Sequence, residues 1–121
     1  MASHVPLVPL SELAPDTLME VQAPLPDGIE SLLLWRDADG RVQAFLNACP
    51  HAGRRLDWAP GQFLRSREGL LVCAVHGASF ALEDGHCVAG PCRGQGLVRV
   101  PVQVRDGAVW LDRAAQAPSS S

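Results

Sequence analysis

Two short segments constrain this chain more than anything else in it. Cys49-Pro-His51-Ala-Gly53 places Cys and His two apart, and Cys73-Ala-Val-His76-Gly77 places them three apart. Each follows a predicted strand, where a tight loop can aim two side chains at one ion. Gly53 and Gly77 let the backbone curl there without a Cβ clash. Twenty-one residues, Ala52 to Val72, separate the pairs, and Pro60-Gly61 and Gly69 within that span let the chain leave and return. The entropy of closing such a loop grows slowly with its length. Metal–ligand bonding offsets it, because metal affinity becomes folding free energy when the site exists only in the folded state. A fold for this chain has to bring both loops to one place.

The surrounding pattern is β almost throughout. Ile29 to Trp35 is an apolar run, Asp37-Ala-Asp-Gly40 a turn, and Arg41 to Leu46 alternates with Val42, Ala44 and Leu46 on one face, which together predict a hairpin. Leu70 to Val75 is a further apolar run, and Phe80-Ala-Leu82 leads into a turn at Glu83-Asp84-Gly85. Val98, Val100, Val102 and Val104 read as one face of a strand, which Asp106-Gly107 turns into Ala108 to Leu111. Short strands repeating at intervals of about ten residues predict a sandwich or barrel. Helical signals are thin: Ser11 to Ala14 can open one turn before Pro15, and Leu56 and Trp58 sit on a short turn that Pro60-Gly61 stops. The expectation is one all-β domain over residues 5–112 and a disordered tail over 113–121. Trp35, Trp58 and Trp110 are expected in the core.

Composition narrows the function. With 121 residues, 47% of them hydrophobic and 19% charged, the chain can bury a core and is not intrinsically disordered. Ten basic and thirteen acidic side chains give a formal charge of −3 with no basic stripe, which argues against nucleic acid. Met1 to Leu10 lacks a basic stretch followed by an apolar one, so no signal peptide is expected, and no segment predicts a membrane span. A cytoplasmic protein is therefore expected, where thiols stay reduced unless metal takes them. On that ground Cys87 and Cys92, within His86-Cys-Val-Ala-Gly-Pro-Cys92, are expected as idle or buried thiols, with pairing or a second metal as the alternatives. His4 and His86 read as solvated, and Asp57, Glu83 and Asp84 as turn charges rather than an acid–base pair. No Ser-His-Asp order, phosphate-binding glycine loop or nicotinamide fingerprint is present.

A Cys2His2 set can hold tetrahedral zinc. Structural zinc sites usually draw Cys with Cys and His with His, whereas each loop here offers one of each. That mixture suits a two-iron cluster in which one iron takes both thiolates and the other both imidazoles. The chain resembles the Rieske iron–sulfur proteins, whose signature is C-x-H, a spacer, then C-x-x-H. Cys49-Pro-His51-Ala-Gly53 with Leu56, Cys73-Ala-Val-His76-Gly77-Ala-Ser-Phe80, Gly85 and Gly90-Pro91 follow the family's order, and Gly90-Pro91 resembles the proline loop that covers the cluster's third side. The resemblance is close over about residues 40–100, with the cluster-binding part over about 47–93. It implies an antiparallel β-sandwich or barrel with a small cluster-binding subdomain. It also implies one [2Fe–2S] cluster held by Cys49 and Cys73 on one iron and by His51 and His76 on the other.

The same resemblance bears on potential and role. Neutral imidazoles in place of two thiolates remove negative charge and raise the potential. High-potential members have an inter-loop Cys pair, a Ser hydroxyl and a Tyr hydroxyl near the cluster; here Arg54 and Val75, Ala78, and Phe80 fill those places. Without those hydrogen bonds the reduced state is less stabilised, so a potential near the bottom of the range of roughly −150 to +300 mV is expected. Four ligands saturate the cluster, and the chain is short for a domain of mononuclear iron, so a non-enzymatic carrier is expected. It is similar to ferredoxins passing electrons from a flavin-dependent reductase to a terminal oxygenase by transient docking. The alternatives are a Rieske-fold small subunit of a nitrite reductase complex and a structural zinc domain for protein binding.

Overall fold

Leu32, Leu33, Leu34 and Trp35 run without a polar residue because both faces of their strand are buried. The computed structural model describes residues 4–26, 28–50, 55–73, 77–90 and 94–112. Among these lie β1 (His4–Pro9), a 3-10 turn (Leu10–Glu12), β2 (Thr17–Leu25), β3 (Gly28–Arg36), β4 (Val42–Leu46), β5 (Leu64–Arg65), β6 (Leu71–Val72), β7 (Ser79–Phe80), β8 (Cys87–Ala89), β9 (Val102–Arg105) and β10 (Ala108–Asp112). They form three antiparallel sheets, ordered β1-β10-β9, β2-β3-β4 and β5-β6-β7-β8. The middle sheet separates two cores. Leu33, Trp35 and Phe45 face one, with Leu71, Phe80 and Leu82 of the third sheet's segment. Leu32, Leu34 and Ala44 face the other, with Val8, Val109 and Leu111 of the first sheet. A strand buried on both faces reads as a continuous apolar run rather than an alternation. The expected all-β antiparallel architecture with a small separate sheet is what the structure shows.

The predicted turns form as their chemistry requires. Asp37 Oδ1 accepts from the backbone N–H of Asp39 and of Arg41, both at 2.9 Å, closing the β3–β4 connection. Asp106 and Gly107 both take positive φ, 51° and 74°, the pair of conformations that joins two strands tightly between Arg105 and Ala108. Residues 59–62 make the expected turn, with Gln62 N–H donating to Ala59 O at 2.8 Å around Pro60-Gly61.

Several expectations need correction. Val98, Val100, Val102 and Val104 do not line one face: Val100 is buried, but Val98 and Val104 are 56% and 42% exposed. Pro101 has no N–H to give to a ladder, and the chain changes sheets there. Before it, Val98 O and Ala44 O accept from Leu46 and Val100 N–H groups; after it, β9 pairs with β10. Trp58 is 59% exposed, and Trp110 is only half-buried, with Nε1 donating to Arg105 O at 3.0 Å. Of the three tryptophans only Trp35 is core, its Nε1 reaching Asp16 Oδ1 at 3.3 Å. The pattern also gave no sign of β2, an edge strand with one buried residue, Ala23, and a proline that an edge tolerates. The tail over 113–121 lies outside the described residues, as does the side chain of His4.

Candidate metal centre

Cys49 leaves the end of β4 and Cys73 the end of β6, and the fold packs both into the same core with Phe45, Phe80 and Cys87. Neither has exposed surface, and neither is in a disulfide. Two buried thiols from two loops, in an apolar setting, are a donor set suited to an iron–sulfur group: thiolates bind metal, and dry surroundings keep water from it. His51 and His76 lie outside the described residues, together with Arg54 and Val75. Ala78 and Phe80 are fully buried beside Cys73 in this core, and neither carries a hydroxyl.

The second segment is closed by the backbone. Cys73 N–H donates to Ala78 O at 2.7 Å, and Gly77 N–H donates to Cys73 O at 2.9 Å. Gly77 has φ +70°, a left-handed conformation that favours glycine. Gly90 presses on this segment, since a Cβ there would stand 2.8 Å from Ala78 Cα. Gly85 has a similar role one layer deeper, where a Cβ would stand 2.7 Å from Phe45 Cε1.

Side chains close the first segment, and sequence reasoning missed most of them. Asn47, buried two residues before Cys49, accepts at Oδ1 from Leu56 N–H at 2.9 Å and donates from Nδ2 to Ser31 Oγ at 3.1 Å. It therefore ties the two ends of the stretch that carries Cys49 and His51 to each other and to β3. Ser31 Oγ donates in turn to Glu20 Oε2 at 2.6 Å, and Arg55 Nη2 donates to the same oxygen at 2.7 Å. Arg55 grips Asp57 with two hydrogen bonds, Nε to Oδ1 at 2.9 Å and Nη2 to Oδ2 at 2.7 Å. Gly61 N–H adds a third at 3.0 Å. Asp57 is thus no solvated turn charge, since its side chain is only 1% exposed. Burial pushes its carboxyl pKa up, but the bonds from Arg55, Gly61 and Asn47 outweigh this and hold it below its ordinary 3.8. Glu20 is held below its ordinary value by Ser31 and Arg55. The one available signal was polar residues inside apolar strands: Glu20 in β2 and Ser31 in β3.

The third element near the core is β8 with the residues just beyond it. Cys87 N–H donates to Gln95 O at 3.0 Å, and Leu97 N–H donates to Gly85 O at 2.8 Å. Cys87 is disulfide-bonded, which corrects the expectation of an idle thiol. Cys92 lies outside the described residues. His86 is exposed, as expected, and its Nδ1 lies 2.6 Å from Asp84 Oδ1, which holds the Asp84 carboxyl below its usual range.

Comparison with known proteins agrees with this arrangement. The family model of the Rieske [2Fe-2S] domain matches residues 3–106. The oxygenase component of chloroacetanilide N-alkylformylase from Rhizorhabdus wittichii is 33% identical over 85 residues, 65% of this chain and 22% of that protein's length. This chain therefore spans about a fifth of that relative. Among solved structures, the ferredoxin of carbazole 1,9a-dioxygenase from Nocardioides aromaticivorans superposes with a TM-score of 0.67 at 26% identity, covering 91% of this chain and 97% of that one. A putative NADH-dependent nitrite reductase small subunit from Mycobacterium tuberculosis gives 0.63 at 25% identity, covering 89% and 92%.

Proposed function

Because the chain belongs to the Rieske [2Fe–2S] domain family and carries one cluster of that type as its cofactor, we propose that it is a one-electron carrier, the ferredoxin component of an oxygenase-type system. In this reading Cys49 and Cys73 hold one iron and His51 and His76 the other. When bound, the cluster takes up and gives back a single electron. The chain's own residues keep the thiolate side dry: Phe45, Leu56, Phe80 and Leu97 surround the cysteines, and neither Cys49 nor Cys73 meets solvent. Backbone hydrogen bonds fix the second loop and the Asn47 bridge fixes the first, so little has to move when charge changes. With all four iron positions on protein ligands taken, no place is left for a substrate, which supports a carrier rather than a catalyst.

The observation that carries this reading is the match to the carbazole dioxygenase ferredoxin along nearly the whole of both chains. Donor and acceptor are proposed as a flavin-dependent reductase and a terminal oxygenase in the cytoplasm. They would dock transiently around Pro50-His51 and His76-Gly77 over less than about 1,200 Å² of buried surface, as weak redox encounters do. The test is direct. Purified protein should contain iron and sulfide, accept electrons from NADH through a flavin reductase, and be reoxidised by a terminal Rieske oxygenase. Stoichiometric zinc in a colourless protein would end the proposal.

The match to a nitrite reductase small subunit favours a second reading, a permanent accessory subunit. Co-elution with a nitrite reductase large subunit through size exclusion at low micromolar concentration separates the two, because a transient carrier dissociates under those conditions.

A further inference from the structure

Glu20, Arg55 and Asp57 form a bonded trio whose charge does not cancel. Arg55 Nη2 donates to Glu20 Oε2 and to Asp57 Oδ2, each at 2.7 Å, and Arg55 Nε donates to Asp57 Oδ1 at 2.9 Å. One guanidinium thus faces two carboxylates, and among the described residues no second cation bonds to either. We propose that the surplus negative charge of this trio holds the potential of the metal centre low, which makes the reduced carrier a stronger electron donor to its acceptor. The proposal rests on the carrier reading above and adds to it a determinant of potential.

Two routes through the structure place the trio beside the buried thiols. Along the middle sheet, Glu20 lies opposite Leu33, and Leu33 opposite Phe45. Directly opposed residues share a face, and Leu33 and Phe45 pack in one core with Cys49 and Cys73. Glu20 therefore stands on the face turned to the cysteines, two strand spacings from Phe45, or about 10 Å. Along the first loop, the Asp57 carboxylate accepts a hydrogen bond from the Asn47 side chain. Asn47 stands two residues before Cys49, a Cα separation of at most roughly 7 Å.

Burial gives this charge its reach. The side chains of Asp57 and Glu20 are only 1% and 15% exposed, whereas a charge out in water is screened by solvent and salt. Reduction adds one electron, supplied by the reductase or in the test by dithionite, and with it one negative charge; no bond forms or breaks. A fixed negative charge in a setting of low dielectric repels the added one and favours the oxidised state. The sign differs between members of the trio: losing a carboxylate raises the potential, and losing the guanidinium lowers it. A loss of packing has no such dependence on the sign of the charge removed.

The test compares midpoint potentials of the loaded wild type, E20Q, R55Q and D39N by protein-film voltammetry at pH 8, above the ordinary values of both carboxyls, 3.8 and 4.5. Asp39 is exposed in the β3–β4 turn, at the end of β4 away from Cys49, so D39N makes the same change of formal charge without the burial. E20Q should shift the one-electron equilibrium about threefold toward the reduced form, about 28 mV upward at roughly 59 mV per tenfold. R55Q should shift it about threefold the other way, both variants should keep the wild-type EPR g values, and D39N should stay at the wild-type potential. An unchanged potential in E20Q, a shift of E20Q and R55Q in the same direction, or an equal rise in D39N overturns the proposal. Loss of the cluster from E20Q overturns it too, because the trio is then a structural brace. If R55Q does not fold, E20Q against D39N decides alone. A wild type without iron and sulfide overturns the carrier reading and the proposal with it, while a loaded wild type that shares its potential with E20Q overturns the proposal alone.

Discussion

Asn47 does for the first cluster loop what a backbone ladder does for the second, and its removal is correspondingly costly. N47A leaves Leu56 N–H without its partner in a buried setting, while Ser31 Oγ loses one bond and keeps the one to Glu20. An unsatisfied buried donor costs about 1–3 kcal/mol. Urea unfolding should show a loss of that size, together with faster bleaching of the visible absorbance; an unchanged midpoint contradicts the bridge. Asp57 and Glu20 give a pH signature. Both carboxyls are held below their ordinary values of 3.8 and 4.5, so the unfolded chain binds protons more readily. Their stabilisation is full above those ordinary values and is lost as pH falls through the lower folded ones. The urea midpoint of the wild type should therefore decline in acid, and D57N should show a smaller decline from a lower plateau. Equal slopes for the two proteins contradict the assignment. At the sulfur side, Ala78 and Phe80 lack hydroxyls. A78S or F80Y should raise the midpoint potential by about 60 mV, tenfold in the one-electron equilibrium, if the new hydroxyl donates to sulfur. A potential for the wild type above about +100 mV contradicts the low-potential expectation outright.

At the scale of elements, the middle sheet carries the design. The β3 register places Leu32 opposite Leu46 and Leu33 opposite Phe45, so successive side chains serve two cores in turn. The sequence showed this run clearly, and it showed the turns at Asp37-Gly40, Glu83-Gly85 and Asp106-Gly107, because those depend on local chemistry that two or three residues supply. It hid β2, β5 and β8, whose residues are half-exposed or too few for a period to register. It misled on Val98 to Val104, because alternation says nothing of a strand leaving one sheet for another at Pro101. Gly90 tests the contact between the third sheet and the second cluster segment. G90A adds a Cβ 2.8 Å from Ala78 Cα at a residue with φ +97°. Strain of this kind costs roughly 1–3 kcal/mol, so the variant should unfold at lower urea and hold its cluster less tightly. Wild-type stability and retention in G90A contradict the contact.

Over the whole molecule, the family and the all-β class were legible in the sequence, while the groups that hold the site together were not. The spacing of Cys49, His51, Cys73 and His76, with glycines beside them, is what the proposed ligand set rests on, because metal ligands must be particular residues at short separations; the structure describes only the two cysteines of the four. The groups that hold the loops were illegible, since Asn47, Arg55 and Asp57 act through contacts between residues far apart in sequence, such as Arg55 with Glu20. The disulfide at Cys87 was equally hidden, because compartment argued for thiols and spacing alone cannot settle pairing. The proposed function rests in the end on a cluster with mixed ligands. An EPR spectrum of the dithionite-reduced protein tests that most directly. The account predicts the low average g value of a two-iron cluster with histidines on the reducible iron. The higher average of an all-cysteine cluster, or no signal from a protein rich in zinc, would contradict it.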